Sequence, residues 1–359
     1  MHALIQDYRN LHQIPEVGHD LPLTKNYILN RLHKTNATVY EIPKSSIVAE
    51  FNFKAKSYIA FRSEMDALPI LENQNNTICS TIPNKMHACA HDAHMSILLQ
   101  LAYHLSSLET SKYNILLIFE EAEEQDGNAT RIVDFLKKNN YIISHFFCMH
   151  FWPNLEYGTL HSNPSILMSE SHEITLQING TSSHISSNSY EHDALLAGCE
   201  FITELTKHLQ HIMLNNTRYR FGFIQSGSTC NIVSDKTIIK GSCRTLDSSE
   251  LIKLQKHIIF LIENIDMKYK TSTTIQYSKG YPIIQNSPIT FKKISTHLPI
   301  KTITPLYTCE SAGEYFKHYK GCYLLLGMGT SPSLHSPDFQ INESLLTIGF
   351  NYYLDLLSI

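Results

Sequence analysis

Residues 113–119 read YNILLIF, and this nearly unbroken apolar run constrains the fold more than any other stretch. A strand with one wet face alternates apolar and polar side chains. A strand that does not alternate is covered on both faces, as in a parallel sheet. HFFCM at 145–149 and CYLLLG at 322–327 have the same texture. Helical spacing lies between such runs: Ile97, Leu98, Leu101 and Leu105 fall in register over 92–108, and 129–136 also reads as helix. Strands alternating with helices predict an α/β sheet with helices on both faces. Leu4, Tyr8 and Leu11 predict a first helix that stops at Pro15, and Ile28, Leu29 and Leu32 predict a second. TVYEI, SIVAEF and SYIAFR read as short strands, and 343–357 as the last helix.

The texture changes near Ser169. HEITLQING alternates, a helix follows over 193–210, and YRFGFIQSG and DKTIIKGSCRTL alternate again. A helix over 248–265 and the strand TTIQYS complete a strand-helix-strand-strand-helix-strand order, which predicts a small ferredoxin-like α+β sandwich. After Tyr281-Pro282 the first texture returns. The expected architecture is therefore a mostly parallel α/β catalytic domain, residues 1–169 and 283–359, with an inserted α+β domain at 170–282. A chain of 359 residues has room for both.

Composition narrows the function. With 43% hydrophobic and 17% charged residues the chain is expected to pack as a globular protein, and a net charge of -4 offers no footprint for nucleic acid. No apolar run reaches the ~18 residues of a membrane span, so no membrane partner is expected. MHALIQDYRN has no basic stretch followed by an apolar one, so no signal peptide is expected either. The eight cysteines are scattered with no C-x-x-C pair, which reads as reduced thiols in a cytoplasmic protein.

Four places carry chemistry. In MHACAHDAH, Cys89 and His91 form a C-x-H pair just before a helix, and thiolate plus imidazole suits zinc and similar ions; a plain helix cap is the alternative. FEEAEE places Glu120, Glu121, Glu123 and Glu124 at the end of the apolar strand, where they repel one another unless cations or shared protons intervene; a solvated acidic loop is the alternative. His150 follows the strand HFFCM, and His335 lies in a Ser/Pro/Gly-rich loop before the last helix. Singly each histidine reads as a core or surface residue. Together the set is the inventory of a two-metal hydrolase with a spare carboxylate to take a proton from water. Asp92 and His94 then support the loop from the helix start, and His87 orients it.

The order of these motifs resembles the metal-dependent N-acyl-amino-acid amidohydrolases: aminoacylases, hippurate hydrolases, plant auxin-conjugate hydrolases and bacterial N-acetyldiaminopimelate deacetylases. Two-zinc carboxypeptidases are more distant kin. The resemblance runs through LHQIPEVG, FRSEMDALPI, MHACAHDAH, FEEAEE, HFWPNLEYGTL, INGTSSH, STCNIVSD, GSCRTLD and LLLGMGTSPSLHSPDF, nearly the whole chain. It implies Cys89, His91, Glu124, His150 and His335 as ligands of two divalent ions, zinc or manganese. It implies Glu123 as general base and acid, and Asp66 as a supporting residue near the metal loop. His184 is expected to polarise the scissile carbonyl, in many members from the partner subunit, and Asn231 and Arg244 to bind the substrate's carboxylate or carbonyl. A homodimer through the inserted domain is also implied. The chain departs from the family's pattern at Ala90, where Gly is usual, and at Glu64, where Asp is usual. Glu120-Glu121 replaces Q-P, and Glu310-Ser311-Ala312 replaces E-D-F.

The expected reaction is hydrolysis of an N-acyl amino acid in the manner of an aminoacylase or hippuricase, with N-acetyldiaminopimelate deacetylation second and dipeptide cleavage third. Two other classes stand against it. One is a catalytically silent metal-binding member. The other is a cysteine hydrolase built on Cys89 and His91, whose spacing gives poor geometry for a base-activated thiol.

Overall fold

The computed structural model describes residues 2–187, 189–211 and 214–359. The chain divides into two compact units, residues 1–167, 284–304 and 310–359, and residues 168–283 with 305–309. The first begins with α1 (His2–His12), α2 (Pro22–Leu32), β1 (Thr38–Glu41), β2 (Ile47–Phe51) and β3 (Tyr58–Glu64). It continues with α3 (His91–Ser106), β4 (Asn114–Glu120), α4 (Ala129–Lys138), β5 (Ile143–Trp152), β6 (Leu160–Ser162) and β7 (Ile166–Met168). The inserted unit holds β8 (Glu170–Asn179), α5 (Ala194–His211), β9 (Thr217–Ser226), β10 (Lys236–Thr245), α6 (Ser248–Tyr269) and β11 (Ser272–Tyr277). The first unit resumes with β12 (Ile284–Gln285), α7 (Pro288–Ser295), β13 (Ile300–Thr302), α8 (Gly313–Phe316), β14 (Gly321–Gly327) and α9 (Ser344–Leu357).

The large sheet has the order β1-β2-β4-β3-β5-β14-β6-β13. Its centre, β4-β3-β5-β14, is parallel throughout, as the apolar runs predict. Side chains alternate across it. On one face Phe61 packs against Phe147 and Tyr353 of α9; on the other Phe146 stacks on Tyr315 of α8. Both faces are therefore covered by helices. Gly349 lets α9 approach closely, since a β-carbon there would lie 2.9 Å from Ile97 and 3.0 Å from Met149.

One local expectation changes, and one alternative falls. The apolar strand 145–149 is longer at both ends, because pairing with β14 continues in register to Gly327 opposite Trp152. His150 therefore lies inside β5, opposite Leu325, rather than beyond its end. Glu120 and Glu121 are fully buried, so this part of the acidic stretch is not a solvated loop.

The inserted unit is a four-stranded antiparallel sheet of order β11-β8-β10-β9. That strand order is the ferredoxin-like one. Ile174, Leu176 and Ile178 alternate inward from β8 onto a core shared with Phe201 and Leu205 of α5 and Leu254, Ile258 and Leu261 of α6. Asp247 caps α6 by accepting from the Ser249 N–H at 2.8 Å. Among the described residues, no helix is long and apolar enough to cross a membrane.

Candidate metal centre

Parallel register delivers the chemistry to one edge of the large sheet. Glu64 and Glu120 are paired at the carboxyl ends of β3 and β4, and the loops that follow carry Asp66 and the 121–124 turn. The metal-loop segment enters α3 through Ala90, whose backbone is left-handed at φ 62°. Glycine adopts that conformation freely; alanine costs about 1–2 kcal/mol. Ala122 and His335 are left-handed too, so three loops at this edge store backbone strain.

Asp66 fastens two of these loops. Its carboxylate accepts the backbone N–H groups of Glu123 and Glu124, both at 3.0 Å, and its carbonyl oxygen lies 2.7 Å from His91 Nδ1. A carbonyl only accepts, so His91 Nδ1 carries a proton, and Nε2 is the nitrogen left to meet a metal. That Nε2 is buried without a hydrogen-bond partner. His150 repeats the device: Nδ1 lies 2.6 Å from the Phe151 carbonyl, and Nε2 lies 3.5 Å from Cys89 Sγ. A ligating histidine is held in this way by its other nitrogen.

Three overlapping groups have donor atoms within 4.8 Å of one another: Cys89, His91 and His150; Cys89, Glu124 and His335; and His91, Glu123 and Glu124. Cys89 belongs to the first two. His335 Nε2 lies 3.2 Å from Glu124 Oε1, at ion-pair distance but not aligned as a hydrogen bond, and its backbone N–H donates to Ala88. The donor set of thiolate, imidazole and carboxylate fits a transition-metal ion, and the orphaned His91 Nε2 points to one.

Charge is unbalanced here. Burial raises the Glu123 carboxyl well above the usual range, and the Glu310 and Glu124 carboxylates add to it. Burial, Glu124 and Glu123 push the Cys89 thiol up. Burial opposes protonation of His91, but Asp66, Glu64 and Glu124 outweigh it and lift it to about 10. Burial and His94 lower His150 to about 3. Divalent cations would relieve the carboxylate excess and displace the protons held by Cys89 and His91.

Asp92 and His94 sit behind the loop. Asp92 Oδ2 lies 2.6 Å from His12 Nδ1, and His12 Nε2 lies 3.0 Å from Glu72. Burial resists a charge on His12, but Asp92 and Glu72 outweigh it and raise it to about 10. His94 donates from Nδ1 to Glu64 at 2.7 Å, because its Nε2 accepts the Phe151 N–H at 3.1 Å. His87 is buried with neither ring nitrogen bonded. No sequence signal gives His12 or Glu72 a role. A charged residue inside the apolar strand SYIAFR was the available signal for Arg62.

Asp66→Ala is expected to leave both N–H groups of the turn unsatisfied. At about 1–3 kcal/mol for each, the variant should unfold at clearly lower denaturant. Equal midpoints would remove Asp66 from this role.

The inserted unit holds the remaining candidates apart. His184 bridges Ile232 and bonds Ser186 at 2.8 Å, while the Asn231 carbonyl accepts the Ile185 N–H. Both are exposed, beside the start of β10. Arg244 lies at the other end of that strand, half-buried and bonded to Ser242. From Thr237 to Arg244 the strand rises roughly 23 Å.

Comparison with known proteins agrees with this geometry. Residues 60–358 match the profile of peptidase family M20/M25/M40. The N-acetyldiaminopimelate deacetylase of Shouchella clausii (strain KSM-K16) is 26% identical over 368 residues, covering 100% of this chain and 98% of that protein. The one from Lactococcus lactis subsp. cremoris (strain SK11) is 27% identical, covering 96% and 94%. Among solved structures, a protein of methicillin-resistant Staphylococcus aureus superposes with a TM-score of 0.92 at 23% identity, covering 99% of this chain and 96% of that one. The Bacillus subtilis YXEP protein, described as a dinuclear metal binding peptidase, gives 0.82 at 24%, with the same coverage. These two establish the fold. The family match spans most of the chain, which belongs to peptidase family M20/M25/M40 and is a metal-dependent amidohydrolase.

Proposed function

We propose that this chain hydrolyses the amide bond of an N-acyl amino acid using two divalent ions, with N-acetyldiaminopimelate the first substrate to test. The observation that carries the reading is the pair of donor groups sharing Cys89, with Glu123 beside them. Cys89, His91 and His150 would hold one ion, and Cys89, Glu124 and His335 the other. Zinc or manganese suits this mix of donors, the thiolate favouring zinc. Such ions supply Lewis acidity, polarising a carbonyl and acidifying water.

The chain's own residues do the rest. Glu123 takes a proton from the attacking water and returns one to the leaving amine. Its backbone, pinned by Asp66, keeps the carboxyl group in place. His184 polarises the acyl carbonyl, and Asn231 and Arg244 hold the substrate. Arg244 and the His184–Asn231 loops stand at opposite ends of one sheet, so one small substrate does not reach both within a single copy. That separation supports a homodimer in which two inserted domains contribute.

The sequence alone favours a general aminoacylase. Relatives of nearly the same length, named as N-acetyldiaminopimelate deacetylases, support moving that substrate ahead. The experiment is free-amine release from N-acetyldiaminopimelate, N-acetylmethionine, hippurate and a dipeptide, with protein reloaded with zinc or manganese. We expect N-acetyldiaminopimelate to be turned over fastest. Preference for another compound overturns the substrate. Silence across the panel with two ions bound favours a catalytically silent member.

A further inference from the structure

His12 is the last residue of α1 and is buried with a carboxylate on each ring nitrogen. Nδ1 lies 2.6 Å from Asp92 Oδ2, and Nε2 lies 3.0 Å from Glu72 Oε1. Both carboxylates are buried as well. An imidazole between two carboxylates donates from both nitrogens and is charged, so the three groups compensate one another.

The two ends of this bridge lead to different loops. Asp92 follows the candidate ligand His91 in the first turn of α3. Glu72 anchors the loop of residues 72–80: Oε1 accepts from Asn76 Nδ2 at 3.0 Å, and Oε2 accepts the Ser80 N–H at 2.7 Å. That loop is tied to the one carrying His335. The Asn73 N–H donates to the Pro337 carbonyl at 3.1 Å, and Asn73 Nδ2 donates to Asp338 Oδ1 at 2.6 Å. Asn76 Nδ2 also reaches the Pro337 carbonyl, at 3.3 Å. His335 needs such support. Its side chain is half exposed, its backbone is left-handed at φ 65°, and it lies in neither strand nor helix. A residue in that conformation keeps its place only where its surroundings over-determine it.

We propose that His12 is a positioning residue for the metal centre, tying the His335 loop to the start of α3 through Glu72 and Asn73. This rests on the reading of Cys89, Glu124 and His335 as the ligands of one ion. With both nitrogens taken, His12 bonds no candidate ligand itself. It governs how tightly that ion is held, not which atoms hold it.

The test measures, on the full chain, zinc stoichiometry, the affinity for each zinc ion by chelator competition, and the unfolding midpoint of the metal-free protein. His335→Ala identifies the ion concerned. Asn73→Ala cuts the tie at the surface and leaves the buried set whole. It is expected to weaken that ion about threefold or more, the worth of one hydrogen bond, with the other ion and the midpoint unchanged. Asn73→Asp alone sets two carboxylates face to face and should weaken it further. Adding Asp338→Asn exchanges donor and acceptor and should restore the affinity. His12→Phe keeps the ring's bulk but leaves two buried carboxylates unpaired, so its midpoint should fall. The same ion should bind about tenfold more weakly or worse, and the other normally. If His12→Phe does not fold, His12→Gln, which retains an amide donor, is expected to show the same selective loss to a smaller degree. Equal weakening of both ions, or unchanged affinity, in the His12 variants overturns its role. Unchanged affinity in Asn73→Ala overturns the route through the 72–80 loop. If His335→Ala keeps both ions, the ligand reading fails and the role of His12 with it. If His335→Ala loses one ion while the other variants hold both at wild-type affinity, only the role of His12 fails.

Discussion

Glu123→Gln is expected to keep its metal and its fold while losing between about 10²- and 10⁴-fold in kcat, the range a general base contributes. Glutamine has the shape of the carboxylate but cannot take a proton from water. The backbone here is held by Asp66 rather than by the side chain's charge, so the turn should persist. Burial and the neighbouring Glu310 and Glu124 carboxylates already disfavour a charge at this position. Removing it should leave the unfolding midpoint level or slightly higher. Steady-state kinetics, metal analysis and thermal unfolding on one preparation check all three. Near-normal kcat would sink the role. Loss of an ion would instead make Glu123 a ligand, consistent with its place beside His91 and Glu124.

The second large effect concerns the metal and Cys89. Chelation should reduce amidase activity to background, and zinc or manganese should restore it, because the donors alone cannot polarise the amide. Cys89→Ala should lose both ions, since the thiol belongs to both donor groups, and His335→Ala should lose only one. Elemental analysis of the dialysed variants measures this directly. One ion retained by Cys89→Ala would show that the thiol serves a single site. Activity that survives chelation would favour a cysteine nucleophile.

Much of this was readable in advance because it is local. An apolar run such as YNILLIF reports burial on both faces whatever its neighbours, and the alternation of HEITLQING reports one wet face. The order of elements in the inserted unit followed from such patterns. Cys89, His91, Glu124, His150 and His335 were nominated together by motif order, and the structure brings their donor atoms together. A polar residue looks like a strand end, so the sequence places the end of β5 before His150. It continues the strand because β14 pairs with it opposite Leu325 and a backbone carbonyl accepts its ring N–H.

The sequence by itself determined the class of fold, the inserted domain and the chemical character of the donor set, because periodicity and residue type are properties of short segments. Only the tertiary structure decided which nitrogen of His91 and His150 faces the thiol, since that depends on carbonyls supplied by Asp66 and Phe151. It alone placed His12 between Asp92 and Glu72, and Ser311 against Arg62 across 249 positions of chain. It also separated Arg244 from His184 and Asn231 along one strand. Each of these depends on strand register and packing, which bring distant residues together and which no local pattern encodes.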